Sequence, residues 1–281
     1  MKKYNSITMI FIYTLLLAGS IVMLVPLAWM VLTSFKSFQE VLATPPVIFP
    51  AQWHFSNYKE ALTTFDFMMY LKNSVFIAVM VILGTLVSSG MAAYGFGCLK
   101  AKGSQVIFGV LLSTLMLPGQ ITIIPIFQLF VKFGWINTYY PLIIPAWLGT
   151  NAFAIFLLRQ FFKTIPLDYI DAGRMDGASE MRILLSIFVP LSKPALLTIA
   201  VFTFIGSWND LWGPLIFIHK ENLYTLPIGL MNFIGITANV QGTPWQLIMA
   251  VSTTMMVPIV VIFFLAQKRF IEGISMTGLK G

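Results

Sequence analysis

The chain alternates long apolar stretches with short polar connections, at a spacing set by membrane thickness. Crossing roughly 30 Å of hydrocarbon takes about 20 helical residues, so a longer uncharged stretch is a candidate span. The intervals 3–36, 72–100, 102–132 and 132–159 each enclose one, with no Asp, Glu, Lys or Arg between the bounding charges. A fifth lies within 193–220, interrupted by Asp210, and a sixth covers about 246–266. The segment before the sixth carries Pro227, Asn232, Asn239, Gly242 and Pro244 and is too polar and broken to span. The pattern predicts an all-α integral membrane protein with six transmembrane helices.

Composition agrees: of 281 residues, 58% are hydrophobic and only 10% charged, against roughly a quarter charged in a soluble domain. One transmembrane domain over residues 1–281 is expected. The apolar run at 7–32 follows Met-Lys-Lys but exceeds the roughly 7 to 15 residues of a signal-peptide core, so it reads as a retained anchor helix. The single cysteine, Cys98, excludes an internal disulfide framework and a multi-cysteine metal site.

The net charge of +7 acquires a meaning from where the basic residues fall. With the amino terminus inside, twelve Lys and Arg lie on inner segments and five on outer ones. Positive loops stay in the cytoplasm, so both termini are placed there, and the basic balance needs no nucleic-acid partner. Two outer loops are long: 34–70, with Pro45, Pro46 and Pro50, and 217–245. The long inner connection is 159–193.

Two features suggest how the spans pack. Thr85, Ser89, Ala93 and Gly97 recur every fourth residue, a small-residue seam suited either to close packing inside the bundle or to a partner subunit. Pro118, Gly119 and Pro125 beside Gln120 and Gln128 suggest a helix lining a pathway or a kinked packing helix.

The inner connection carries the most information. Pro166 is placed to start a helix whose first turn holds Asp168 and Asp171, where the helix dipole favours acid. Asp176-Gly177 breaks it, with Asp176 the expected amino-terminal cap of a second short helix from Ala178. Such an element, presenting Ile170, Met175, Ala178 and Met181, suits a groove on another protein, each anchor contributing about 1.5 to 3 kcal/mol. A loop lying on the membrane surface is the alternative.

Asp171-Ala172-Gly173, Asp176-Gly177-Ala178 and Pro190-Leu191-Ser192-Lys193-Pro194 resemble the cytoplasmic EAA loop of binding-protein-dependent ABC importer permeases. The resemblance extends to Ala92-Ala93-Tyr94-Gly95-Phe96, Leu117-Pro118-Gly119-Gln120, Trp208-Asn209-Asp210, the run from Thr225 to Leu230, and Gly278-Leu279-Lys280-Gly281. These features are similar to the carbohydrate-uptake branch, and within it to the smaller permease subunit of the maltose transporter. Asp171 stands where the family has Glu, and Gly173 where it has a second Ala; the glycine should loosen its helix by up to about 1 kcal/mol.

The resemblance implies a type I ABC importer permease fold in the bacterial inner membrane, with a coupling loop at about 164–194. It implies partners: a second homologous permease, two ATPase subunits and an extracytoplasmic sugar-binding protein, with a carbohydrate as substrate. Asp171, Ala172, Gly173, Asp176, Gly177 and Ala178 would couple to the ATPase, Gly177 supplying the turn, and the segment from Glu272 to Gly281 would touch it too. No cofactor is expected in this chain, ATP and Mg being bound by the partner ATPase.

Residue chemistry supports a transport subunit rather than an enzyme. Asp210, flanked by Trp208, Asn209 and Trp212, suits sugar hydroxyls and ring faces, or alternatively an interfacial aromatic belt. Gln120, Trp208, Asn209 and Asp210 are the candidate substrate-pathway residues. His54 and His219 fall in different outer loops with no metal-ligand spacing, and no metal site is expected. Neither G-x-x-x-x-G-K-[ST] nor G-x-S-x-G occurs, so nucleotide binding through that loop and that hydrolase signature are absent. An ion-coupled carrier would need several carboxylates or histidines inside the spans, and an intramembrane enzyme a catalytic pair; the spans supply Asp210 alone.

Overall fold

A computed structural model describes residues 6–99, 101–238 and 243–277. The expected ATPase contact at Gly278 to Gly281 lies outside the described residues, as do Asn239 and Gly242. Among the described residues every regular element is helical. In chain order the α-helices are α1 (Ser6–Ser34), α2 (Phe38–Leu42), α3 (Ser56–Thr64), α4 (Phe67–Cys98), α5 (Ser104–Ser113), α6 (Gly119–Lys132), α7 (Tyr140–Trp147), α8 (Ala152–Phe162), α9 (Asp168–Met175), α10 (Glu180–Ile183), α11 (Val189–Leu191), α12 (Lys193–Trp208), α13 (Trp212–Phe217), α14 (Leu226–Ala238) and α15 (Trp245–Thr277).

Four segments are long and apolar enough to cross a membrane: Ile7–Ser34, Phe67–Cys98, Tyr140–Phe162, which joins α7 and α8, and Trp245–Gln267. Two more are bent pairs: Ser104–Met116 with Gly119–Lys132, at 104°, and Glu180–Leu191 with Lys193–Trp208, at 83°. Counting each pair once gives up to six spans, one for each uncharged stretch, although the fifth begins ahead of its stretch, at Glu180. The first bend falls at Leu117 and Pro118, because the residue before a proline is pushed out of the helical region; Leu117 has ψ of 120°.

The described residues divide into two compact units, 1–67 with 230–257 and 68–229 with 258–281. In the first, the most apolar window of α1 has none of its residues buried, a helix surface suited to lipid or a partner chain. The connection after α1 folds closely. Phe35 meets Trp53, Phe55 and Tyr58 at ring separations of 5.2, 5.1 and 5.1 Å. Asn57 Nδ2 donates to the carbonyls of Ser34 and Lys36, both at 2.9 Å. Ser37 and Glu40 form a capping box on α2.

In the second unit the small-residue seam turns inward. Thr85, Ser89 and Ala93 are buried, and Ser88 Oγ donates to the Ala146 carbonyl at 2.7 Å. A Cβ on Gly97 would stand 3.4 Å from Arg159 Cγ. The seam is internal packing. The stretch beyond 220, expected to be too polar and broken to span, forms the helix α14, whose apolar part, Leu226–Gly235, is too short to cross.

Candidate coupling loop and polar cavity

The loop from Thr164 to Pro194 is built on one buried side and one exposed side. In α9, Ile170 and Gly173 lie three residues apart and turn inward, while Asp168, Asp171, Ala172 and Met175 face out. Ile170 joins a core with Ile183, Leu184, Phe188, Phe162 and Tyr94. The expectation that Ile170 anchors a partner is therefore corrected: its side chain is already used inside the chain, at 2% exposure. Leu167, Tyr169, Met175 and Met181 remain on the outside, Met175 at 87%.

Gly177 has φ of 75°, the left-handed conformation that a residue with a Cβ adopts only at a cost. Around it the Gly177 N–H donates to Arg174 O at 3.0 Å and the Ala178 N–H to Gly173 O at 2.9 Å, which is a Schellman closure of α9. Asp176 is the carboxy-terminal cap of α9, not the amino-terminal cap of the next helix. That role belongs to Ser179, whose Oγ accepts from the Arg182 N–H at 3.4 Å, and α10 begins at Glu180 rather than Ala178. Ala178 is half-buried against the core.

Gly173 also acquires a reason. A Cβ there would stand 3.0 Å from Ile183 Cγ1, so the glycine admits a close approach of α9 to α10 that offsets part of its helix-propensity cost.

One polar contact carries the loop onto α4 and a second braces it within the loop. Tyr94 Oη donates to Glu180 Oε2 at 2.7 Å, and Arg174 Nε donates to Glu180 Oε1 at 2.7 Å. Asp171 adds a looser ion pair to Arg174 at 3.6 Å. The hydrogen bond to Glu180 is the largest cause raising the Arg174 guanidinium above its ordinary value, so the cation is fixed. Beneath them Phe188 packs edge-on against Tyr94 and Phe162, at 5.2 and 5.3 Å. Phe188 ends a π-helical turn, Leu184–Phe188, ahead of Pro190. Proline has no N–H to give and its ring crowds the carbonyl four residues back, which favours a widened turn.

The loop is thus held against α4 and α8 by apolar packing and against α4 by the Tyr94–Glu180 hydrogen bond. Sequence reading missed Tyr94 and Glu180 as partners because they stand 86 positions apart.

The second unit also holds a partly open cavity of about 450 Å³ between α4, α7, α8 and α12. Its polar lining includes Thr85, Asn151, Thr203, Ser207, Asp210 and Thr225. Asp210 Oδ1 accepts the Gly213 N–H at 3.0 Å. A Cβ on Gly213 would come within 2.5 Å of Asp210 Oδ2, so only glycine leaves the carboxylate in this place. Thr225 Oγ1 is buried and has no hydrogen-bond partner among the described residues. An unpaired buried hydroxyl costs about 1 to 3 kcal/mol, which a polar ligand would offset.

Of the four sequence candidates for this pathway, Asp210 alone lines the cavity. Trp208 is buried and stacks on Phe204 at 5.2 Å. Asn209 caps α12, its Nδ2 donating to Ile205 O at 2.9 Å, and Gln120 is exposed in the first turn of α6. Asp210 itself lies past the end of α12 rather than within it. No group of His, Cys, Asp and Glu suited to a metal ion occurs among the described residues.

Comparison with known proteins places this architecture. The family described as "Binding-protein-dependent transport system inner membrane component" matches residues 84–275. The chain is 34% identical to the trehalose/maltose transport system permease protein MalG of Thermococcus litoralis, covering 95% of this chain and 96% of the relative. It is 32% identical to the arabinooligosaccharides transport system permease protein AraQ of Halalkalibacterium halodurans, over 91% of each chain. In fold it resembles a chain of a bacterial ABC transporter involved in the import of the acidic polysaccharide alginate, with a TM-score of 0.84 and 24% identity, covering 96% of this chain and 100% of that one. With a family match over well over half of its length, and relatives similar nearly from end to end, the chain belongs to the binding-protein-dependent inner-membrane permeases, the multi-pass membrane subunits of ABC importers.

Proposed function

We propose that this permease serves an ATP-driven carbohydrate importer, forming half of the translocation pathway beside a second, homologous permease. Two cytoplasmic ATPase subunits hold ATP and Mg, and an extracytoplasmic sugar-binding protein delivers the substrate. The chain acts as one functional unit over its full length, with both termini in the cytoplasm, consistent with twelve of its Lys and Arg lying on that side.

The observation that carries the proposal is the two-sided coupling loop. Its inner face is locked to α4 and α8 through Ile170, Phe188 and the Tyr94–Glu180 contact, while Leu167, Tyr169 and Met175 stay exposed for a partner. Closure of the two ATPases would draw two such loops together and bias the attached helices toward the outward-facing state. Asp171, Ala172, Asp176 and Gly177 form the docking side; Gly173 and Ala178 shape the turn from within. The substrate pathway runs past Asp210.

A carbohydrate fits the hydroxyl-rich cavity and the sugars for which the related permeases are named. The test is affinity purification of the tagged chain from its native membrane in mild detergent, with identification of co-purifying proteins and saccharide-dependent ATP hydrolysis. Recovery of a second permease and an ATPase is expected; a chain that purifies alone and supports no nucleotide hydrolysis contradicts the proposal.

A further inference from the structure

We infer that the cavity of this chain accepts neutral, hydroxyl-rich ligands and turns away anionic ones, with the Asp210 carboxylate setting that discrimination. The inference deepens the carbohydrate proposal and rests on it for the ligand class. Relatives in fold and sequence are named for both kinds of cargo: trehalose and maltose in Thermococcus litoralis on one side, and an acidic polysaccharide and, in Rhizobium meliloti, sn-glycerol-3-phosphate on the other. Family membership therefore leaves the sign of the cargo open.

The lining settles on one sign. Among the described residues around the cavity Asp210 is the one ionisable group, with no Lys, Arg or His to compensate it. Its other polar groups are hydroxyls and one amide: Thr85, Thr203, Ser207, Thr225 and Asn151 among them. A carboxylate offers about four lone-pair sites, and Asp210 gives only part of that capacity to the backbone of its own turn. Hydroxyl donors can take up the rest. Thr225 Oγ1, buried and without a hydrogen-bond partner among the described residues, adds a group that both donates and accepts.

Apolar surface for a sugar's C–H face comes from Phe153 and Phe202, whose rings meet edge-on at 6.2 Å on one wall. A second negative charge brought within about 6 Å of Asp210, at an effective dielectric constant near 20, is disfavoured on the order of a hundredfold. A uronate or a sugar phosphate meets that repulsion and finds no cation. A neutral saccharide does not.

The experiment uses the assembled transporter in lipid nanodiscs, carrying Cys98→Ser, which removes the single native cysteine, together with Ser207→Cys on the cavity wall. Thr203→Cys serves as a second position should the first fail to assemble. Rates of modification are measured with a cationic and an anionic methanethiosulfonate reagent of similar size. The cationic reagent is expected to react about tenfold or more faster after correction for the two reagents' rates on free thiol, and Asp210→Asn is expected to remove most of that ratio. Maltotriose should slow modification, and trigalacturonate should not. A corrected ratio near one, a ratio unchanged by Asp210→Asn, or equal protection by trigalacturonate overturns the anion exclusion. Charge discrimination that depends on Asp210, with no protection by maltotriose or any other neutral saccharide tried, overturns the carbohydrate proposal and leaves the exclusion of anions standing.

Discussion

Tyr94 and Glu180 stand 86 positions apart in sequence and share a 2.7 Å hydrogen bond, the phenol donating to a carboxylate whose other oxygen holds Arg174. The contact ties the membrane-spanning helix α4 to the candidate coupling loop, so under the proposed function it lies on the route by which movement of one would reach the other. Arg174 and Glu180 are each about half exposed, and an ion pair in that setting contributes little to stability. Its value is positional.

Tyr94→Phe and Glu180→Gln should each leave the fold nearly intact, at about 1 kcal/mol, and lower saccharide-stimulated ATP hydrolysis by the assembled transporter several-fold. In a double-mutant cycle on that activity the two should be non-additive by an amount on the order of 0.5 to 3 kcal/mol, the range for groups in one network. Additive losses would mean that the pair does not act as a unit.

Gly229 packs against Tyr70 so closely that a Cβ would stand 2.5 Å from Tyr70 Cδ2. Tyr70 is buried at 4% exposure and cannot swing clear. Gly229→Ala gains roughly 0.5 to 1 kcal/mol of helix propensity but overpacks this contact by about 1 to 3 kcal/mol. The net expectation is a lower thermal midpoint in detergent, and a raised midpoint would contradict the packing.

The carboxyl of Glu40 is held below its usual value of 4.5 by the backbone N–H groups of Ser37, the larger cause, and Ala51. Both bonds are 2.7 Å. A carboxylate with a depressed folded value stabilises its surroundings above its unfolded value and stops doing so as pH falls through the folded one. Hydrogen-exchange protection of the Ala51 amide, corrected for the intrinsic rate, should therefore hold above about pH 4.5 and fall below it. Glu40→Gln should lower that protection and flatten its pH dependence.

All six spans were legible in the sequence because exclusion of charge from hydrocarbon leaves a one-dimensional mark. The helix, turn and helix of the inner connection were legible through Gly177, since a glycine turn is a local event. Local ambiguity explains what was misread nearby: Asp176 and Ser179 are both good caps, and the Schellman closure at Gly173 and Ala178 puts Ser179 at the next helix start. Ile170 and Met175 look alike in a list of apolar residues, and only the α9 register against Phe188 and Ile183 separates the buried one from the exposed one. The cavity could not be read at all beyond Asp210. Its lining comes from positions spread between Ile77 and Thr225, and no local pattern announces which serines and threonines will face one space.

The most direct test of the coupling account is ATP hydrolysis by the purified transporter carrying Gly177→Asp. The position has a positive φ and open space around it, so aspartate, which tolerates that conformation, should cost no more than about 1 to 2 kcal/mol and leave assembly of the membrane subunits unchanged. The account predicts a variant that inserts and pairs with its partner permease but shows at least a tenfold loss of saccharide-stimulated hydrolysis. Full stimulated hydrolysis and full transport by Gly177→Asp would contradict it.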